Sequence, residues 1–122
     1  MEPGEHAELV RCLSVAFGGA DDVTPAGVTV PHIVLSRLEL PDPWKPSPTR
    51  ALTIWENWPA TQPQFYIDEK VVGEGGQPPR NPSSHYLLGQ TWRGFSFGFA
   101  WAGHDPVLAV QRWLSRFTVE RT

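Results

Sequence analysis

The chain is poor in cysteine, in lysine and in long apolar runs, and each shortage excludes a class of protein. Its 122 residues include one cysteine, Cys12, which excludes an internal disulfide framework and a metal site built from several thiolates. No apolar run approaches the roughly 20 residues that cross a bilayer. The first residues, Met1 to His6, are acidic rather than basic as in a secretory signal, so we expect a cytoplasmic protein.

An excess of charge of either sign is also lacking. The 10 basic and 13 acidic residues give a formal charge of -3, and the eight arginines and two lysines are scattered along the chain. We therefore expect no nucleic-acid partner and no membrane partner. The four histidines lack the spacing of metal ligands, and Gly73–Gly76 lacks the lysine and the following helix of a phosphate-binding loop. The sequence thus predicts no metal site and no cofactor.

Proline and glycine are what the chain has in excess. There are 13 prolines and 11 glycines, and nine of the prolines fall between Pro41 and Pro82. This window predicts a rigid connector over Pro41–Thr49 and a long loop without regular structure over Val72–Ser84. With 40% hydrophobic residues the chain still has enough apolar surface for one core. We predict one loop-rich domain that spans residues 1–122.

Periodic segments predict the regular elements of the first half. Apolar residues at helical spacing predict a first helix over His6–Phe17, and Gly18 supplies its C-terminal cap. β-Branched and alternating residues predict three strands, which start near His32 and then cover Arg50–Trp55 and Gln64–Asp68.

The sharpest pattern is a strict alternation of aromatic and small residues near the end of the chain. The aromatic positions are Phe95, Phe97, Phe99 and Trp101, and the small ones are Gly94, Ser96, Gly98 and Ala100. A period of two predicts a strand whose aromatic side fills the core and whose small side lets another backbone approach closely. The alternative is an exposed aromatic platform for a ligand or a partner.

A terminal helix follows this segment. Asp105 supplies an N-cap acceptor, and Pro106 suits the first helical position because its missing N–H costs nothing there. The predicted apolar stripe of the helix consists of Val107, Val110, Leu114 and Phe117. Strands grouped between two helices predict an α+β fold, with an antiparallel β-meander between an N-terminal and a C-terminal helix.

Few side chains could serve as a nucleophile. Cys12 lies among apolar residues of the first helix, which is typical of a small core residue rather than a reactive thiolate. Ser83 and Ser84 stand beside His85, and Ser96 lies on the small side of the aromatic segment. A serine hydroxyl needs an adjacent base to react. Ordinary loop polarity explains Ser83 and Ser84 equally well, so both interpretations stay open.

Four stretches of the chain carry a family resemblance. They are Leu52–Pro59, Gln62–Asp68, Gly89–Ser96 and Trp101–Asp105, the last leading into the terminal helix. Together they resemble the prokaryotic relatives of ubiquitin-conjugating enzymes, and most closely the bacterial group called family E. The resemblance covers residues 51–117 and implies a ubiquitin-conjugating-enzyme-like fold.

The chain departs from that family at the reactive position. Members carry a cysteine between the proline-containing loop and the late tryptophan, where it forms a thioester. This chain has no cysteine between Val72 and Trp101, and Phe97-Gly98 stands where family E has an Arg-His pair. The resemblance therefore implies a catalytically inactive subunit of a bacterial ubiquitination-like, phage-defence pathway. Such a subunit would bind a ubiquitin-like protein, a catalytic conjugating enzyme or an activating enzyme in a hetero-oligomer.

Tryptophans are candidates for the anchors of such an interface. Trp44, Trp55 and Trp58 are the expected binding residues, because tryptophan is enriched among the residues that dominate binding energy. Two alternatives stay open. One is an unusual acyl transfer that forms an oxyester on a serine with the help of His85. The other is a small interaction protein unrelated to ubiquitin-like modifiers.

Overall fold

The computed structural model describes residues 1–78, 82–95 and 104–119, and within them the chain forms helices at both ends and a sheet between them. In chain order the elements are α1 (Pro3–Phe17), β1 (Ala20–Asp22), β2 (His32–Leu38), β3 (Thr49–Ile54), β4 (Gln64–Asp68), a 3-10 turn (Glu74–Gly76), β5 (Pro82–Leu87), β6 (Gln90–Phe95) and α2 (Pro106–Val119). The predicted α+β class, with an N-terminal and a C-terminal helix, is confirmed.

Helix α1 begins earlier than predicted. Pro3 occupies its first turn, where a proline is already set for helical geometry and has no N–H to leave unpaired. The helix ends as predicted, because Gly18 adopts a left-handed conformation with φ of 79° that glycine reaches without strain. Leu9 and Leu13 are its buried side chains, so α1 packs through one face.

Within the described residues the sheet has six antiparallel strands in the order β1-β2-β3-β4-β6-β5. The first four strands form a meander, of which β2, β3 and β4 are the three predicted strands, whereas the short β1 that pairs with β2 has no counterpart in the prediction. The last two do not continue it, because the chain passes from β4 to the outer edge as β5 and returns between them as β6. Strand β5 is therefore an edge of the sheet, and β1 is the other edge.

The loop predicted over Val72–Ser84 is wrong in two places. Glu74–Gly76 forms a 3-10 turn, and β5 already begins at Pro82. Serine and proline have low strand propensity, so the local sequence signals a loop here. Proline is nevertheless tolerated as the first residue of an edge strand, and antiparallel pairing with β6 holds the segment extended.

Only the start of the alternating aromatic segment belongs to the described residues. Gly94 and Phe95 are the last two residues of β6. The strand predicted beyond Phe95, with its aromatic side at 97, 99 and 101, lies outside the described residues, and so does the candidate Ser96.

Helix α2 starts with the predicted cap. Asp105 Oδ1 accepts hydrogen bonds from the backbone N–H of Val107 at 3.0 Å and of Leu108 at 3.3 Å. The buried face is shifted from the predicted stripe, since Val107 and Leu114 are only half-buried. Its buried residues are Ala109, Val110, Trp113 and Phe117. The wide ring of Trp113 moves the centre of the apolar face, and it stacks on Phe65 of β4 at 4.8 Å between ring centroids.

One face of the sheet packs against both helices and contains two of the predicted binding tryptophans. Trp44 is 3% exposed and Trp55 is 1% exposed. Trp44 Nε1 donates a hydrogen bond to the carbonyl of Phe117 at 2.7 Å, and Trp55 Nε1 donates to Thr53 Oγ1 at 2.7 Å. Both indoles are thus used for packing inside the protein. This corrects the expectation that they are surface anchors and leaves Trp58 as the candidate.

The opposite face of the sheet carries a smaller buried cluster. It consists of Val34, Leu52, Ile54 and Trp92, with Tyr66 and Leu87 packed against it. The candidate functional groups of β5 lie on this same face.

Candidate functional site

Strand alternation decides which serine accompanies His85. In β5, Ser83 pairs with Gly94 and His85 pairs with Trp92, while Ser84 between them pairs with Arg93. Since successive side chains of a strand point to opposite faces, Ser83 and His85 share the face of Trp92. Ser84 lies on the other face and cannot reach the imidazole. The sequence-based pairing of Ser84 with His85 is therefore wrong, and Ser83 takes its place.

Ser83 and His85 form a hydrogen-bonded pair. The distance from Ser83 Oγ to His85 Nε2 is 2.8 Å, within the range of about 2.6–3.2 Å that joins a nucleophile to its base. Ser83 is exposed to solvent and His85 is half-buried. In the tautomer that carries its hydrogen on Nδ1, the imidazole accepts the hydroxyl proton at Nε2. We refer to these two residues as the Ser83–His85 pair.

Gly94 forms the floor beneath this pair. A β-carbon on Gly94 would lie 3.3 Å from His85 Nε2, 3.3 Å from Ser83 Oγ and 3.4 Å from Tyr66 Cδ1. These separations are shorter than the roughly 3.5–4.0 Å of good non-bonded contact. Glycine is therefore required here by close approach. The sequence predicts that another backbone approaches the small side of this segment, but at Gly94 the three close neighbours are side chains.

The space left by the missing side chain of Gly94 also lets the rings of Tyr66 and His85 meet across β6. Tyr66 lies on β4 and His85 on β5, so their strands are separated by β6 and lie about 10 Å apart. Their ring centroids are nonetheless 5.1 Å apart at an interplanar angle of 65°. Burial raises the pKa of Tyr66, so its phenol is neutral at physiological pH. The tyrosine edge thus fixes the imidazole without adding a charge.

The side chain of Arg93 on β6 points to the sheet face opposite to the Ser83–His85 pair. Arg93 points to the helix-covered face, where its Nη1 donates to the Val71 carbonyl at 3.3 Å. Among residues 1–78, 82–95 and 104–119, no carboxylate is hydrogen-bonded to His85. In the described part of the chain the site is thus a hydroxyl and imidazole dyad rather than a triad.

Cys12 offers the other potential nucleophile, and its surroundings suppress it. Burial raises the pKa of the Cys12 thiol, and the Glu8 carboxylate, which accepts from Sγ at 3.5 Å, raises it further. Glu8 itself stays ionised, because the hydrogen bond from Arg11 lowers the pKa of Glu8 to about 2. The single cysteine is therefore a protonated thiol at neutral pH, on α1 and on the face opposite to the Ser83–His85 pair.

Trp58 lines a groove beside Cys12. The groove has a volume of about 240 Å³, and its lining residues are Met1, Glu5, Glu8, Leu9, Cys12, Trp58 and Pro106. Trp58 is half-buried and packs edge-on against Trp55, with ring centroids 4.7 Å apart. The groove is apolar at its base and acidic along α1. We call it the Trp58 groove.

The described residues contain neither a cluster of metal ligands nor a helix that could span a membrane. Within residues 1–78, 82–95 and 104–119 no group of three or more histidine, cysteine, aspartate or glutamate side chains could hold a metal ion. Neither α1 nor α2 has the length and the apolar character to cross a membrane.

Local sequence patterns do not indicate that Tyr66 and Gly94 lie beside His85. Tyr66 and Gly94 come together with His85 only through the order of β4, β6 and β5, which no local pattern encodes. The Ser83 partnership follows from alternation once β5 is known to be a strand. Comparison of the chain with protein-family models, with curated proteins and with solved structures finds no match in any of the three.

Proposed function

We propose that the chain is a ubiquitin-conjugating-enzyme-like subunit that has lost thioester chemistry. It binds a ubiquitin-like protein, or the conjugating or activating enzyme that handles one, in a bacterial phage-defence pathway. The observation that carries this proposal is the position of the single cysteine, since Cys12 lies on α1 and the segment between Val72 and Trp101, where the family forms its thioester, has no cysteine. The helix, sheet and helix order supports the family resemblance of residues 51–117.

The Trp58 groove is the surface we assign to the partner. Aromatic side chains in apolar pockets dominate the energy of protein interfaces, and Trp58 is the one of the three predicted tryptophans that reaches such a groove. Glu5 places a negative charge beside it, whereas the Glu8 carboxylate is paired with Arg11. A partner that inserts an apolar side chain flanked by arginine or lysine therefore fits the groove best.

The test is complex formation with the products of neighbouring genes. The full chain is mixed with each purified ubiquitin-like, conjugating or activating protein, and complexes are detected by size-exclusion chromatography. We expect one of them to bind. Absence of a complex with every one of these proteins contradicts the proposal.

Substitution of Trp58 locates the interface. We expect Trp58→Ala to weaken binding by about 2 kcal/mol or more, as for an interface hot spot, when affinity is measured by calorimetry. Tyr86→Ala is the matched control, because Tyr86 is an aromatic residue 76% exposed on the distant edge strand β5. Equal losses in the two variants, or none in Trp58→Ala, would place the partner elsewhere.

A further inference from the structure

We propose that Ser83 is an acyl acceptor that His85 activates, and that it takes an acyl group from an activated ester or a thioester as an oxyester. The Ser83–His85 pair lies on the sheet face opposite to α1, so this activity is independent of partner binding in the Trp58 groove. It goes beyond the proposed function, which assigns no chemistry to this face.

The first requirement is a hydroxyl in contact with a base and open to a substrate. Ser83 Oγ lies 2.8 Å from His85 Nε2, and Ser83 is exposed on an edge strand. Ser84 has equal exposure but points away from the imidazole. Ser83 and Ser84 are therefore both exposed, but only Ser83 contacts the imidazole of His85.

The second requirement is that the base is held in place. Tyr66 packs edge-on against the imidazole, and the absence of a side chain at Gly94 leaves the space in which both rings and the hydroxyl meet. The Ser83 hydroxyl has one proton, which it can donate to His85 Nε2 at 2.8 Å or to the Gly94 carbonyl at the longer distance of 3.4 Å. A positioned nucleophile and base need little reorganisation before attack.

The reaction balances with the groups present. Ser83 Oγ attacks the carbonyl carbon of the donor while its proton passes to His85 Nε2. The new C–O bond forms as the bond to the leaving group breaks, and the leaving group departs as a thiolate or a phenolate. The imidazolium then gives its proton to the leaving group or to solvent, which regenerates the neutral imidazole and leaves the oxyester on Ser83.

The probe for this reaction is p-nitrophenyl acetate with the full chain. We expect release of p-nitrophenolate, a mass increase of one acetyl group per chain, and assignment of that acetyl group to Ser83 by peptide mapping. Ser83→Ala should abolish this modification, and Ser84→Ala should retain it. His85→Ala should slow it by about 100-fold or more, the contribution typical of a general base.

Controls separate this result from background chemistry. The Cys12→Ala variant removes the only thiol, and Lys45 and Lys70 are the only lysines, so other acetylated positions are easily assigned. Thermal unfolding of each variant verifies that it folds, as we expect because Ser83 and Ser84 are exposed on β5 and His85 is only half-buried. Equal acetylation of wild type and Ser83→Ala, or an unchanged rate in His85→Ala, would overturn the proposal. The assay contains no partner protein, so its outcome is independent of complex formation.

Discussion

At Gly94 a single missing side chain lets three groups from the two neighbouring strands occupy one place. Ser83 and His85 approach from β5 and Tyr66 from β4, each within 3.4 Å of the point where a β-carbon would stand. Interiors are close-packed, so one added methyl group must displace its neighbours. The geometry of the Ser83–His85 pair is therefore sensitive to this residue.

We expect Gly94→Ala to separate the pair and to slow acetylation of Ser83 by about tenfold or more, because small misplacements of reacting groups are costly. Overpacking should also lower the free energy of unfolding by about 1–3 kcal/mol. Rates of p-nitrophenolate release and urea titrations measure the two effects.

Gly4→Ala is the matched control for this substitution. Gly4 lies in α1, and nothing stands within 4 Å of an added β-carbon. Alanine is the better helix former, so this variant should be more stable by up to about 1 kcal/mol and should acetylate normally. An unchanged acetylation rate in Gly94→Ala would show that the Ser83–His85 pair does not depend on the missing side chain at position 94.

At the scale of elements, local patterns predict the helices and the central strands. Gly18 ends α1 through its own left-handed conformation, and Asp105 caps α2 by accepting from a residue two positions away. Both signals are therefore local in the sequence. Strand β5 has no such signal, because Pro82, Ser83 and Ser84 resemble a loop and only pairing with β6 makes them a strand. Adjacency in sequence offers both Ser83 and Ser84 as partners of His85, and only strand alternation selects Ser83.

A polar cluster joins α1 to the edge strand β1. Asp22 Oδ2 lies 3.1 Å from His6 Nε2, and Asp22 Oδ1 accepts the Thr24 hydroxyl at 2.6 Å and the Thr24 N–H at 3.1 Å. Burial opposes ionisation of Asp22, but the hydrogen bonds from Thr24 and the neighbouring His6 together lower its pKa below the usual value. The ionised carboxylate therefore stabilises the folded state.

We expect Asp22→Asn to lower the free energy of unfolding at pH 7 by about 0.5–1 kcal/mol, a small value because the side chain is 45% exposed and solvent screens it. A pKa lowered by folding contributes stability above the unfolded value, and this contribution is lost as the pH falls. Wild type and variant should therefore converge below about pH 4. A difference in urea stability that remains at acidic pH, once the carboxyl groups are protonated, would contradict this assignment.

At the scale of the whole molecule, Trp44 connects distant parts of the chain. It lies in the proline-rich connector before β3, yet its Nε1 donates to Phe117 near the end of α2, 73 residues away. Its ring also packs edge-on against Phe117 at 5.4 Å between centroids. No local pattern predicts such a contact, which explains why burial of Trp44 could not be read from the sequence.

We expect Trp44→Ala to destabilise the fold by about 3–5 kcal/mol, the cost of deleting a large buried aromatic side chain. Trp44→Phe should cost less, about 1–3 kcal/mol, since it mainly removes the hydrogen bond to the Phe117 carbonyl. Denaturant titrations followed by circular dichroism measure both. A Trp44→Ala variant with normal stability but no partner binding would restore Trp44 as an interface residue.

The two candidate surfaces lie on opposite faces of the sheet and towards opposite edges. Helix α1, which lines the Trp58 groove, packs near β1 and β2, whereas the Ser83–His85 pair lies on β5. A protein held in the groove would leave the hydroxyl of Ser83 sterically free. The two proposals together would make one copy of the chain bivalent, with room for a docked protein and a separately delivered acyl group.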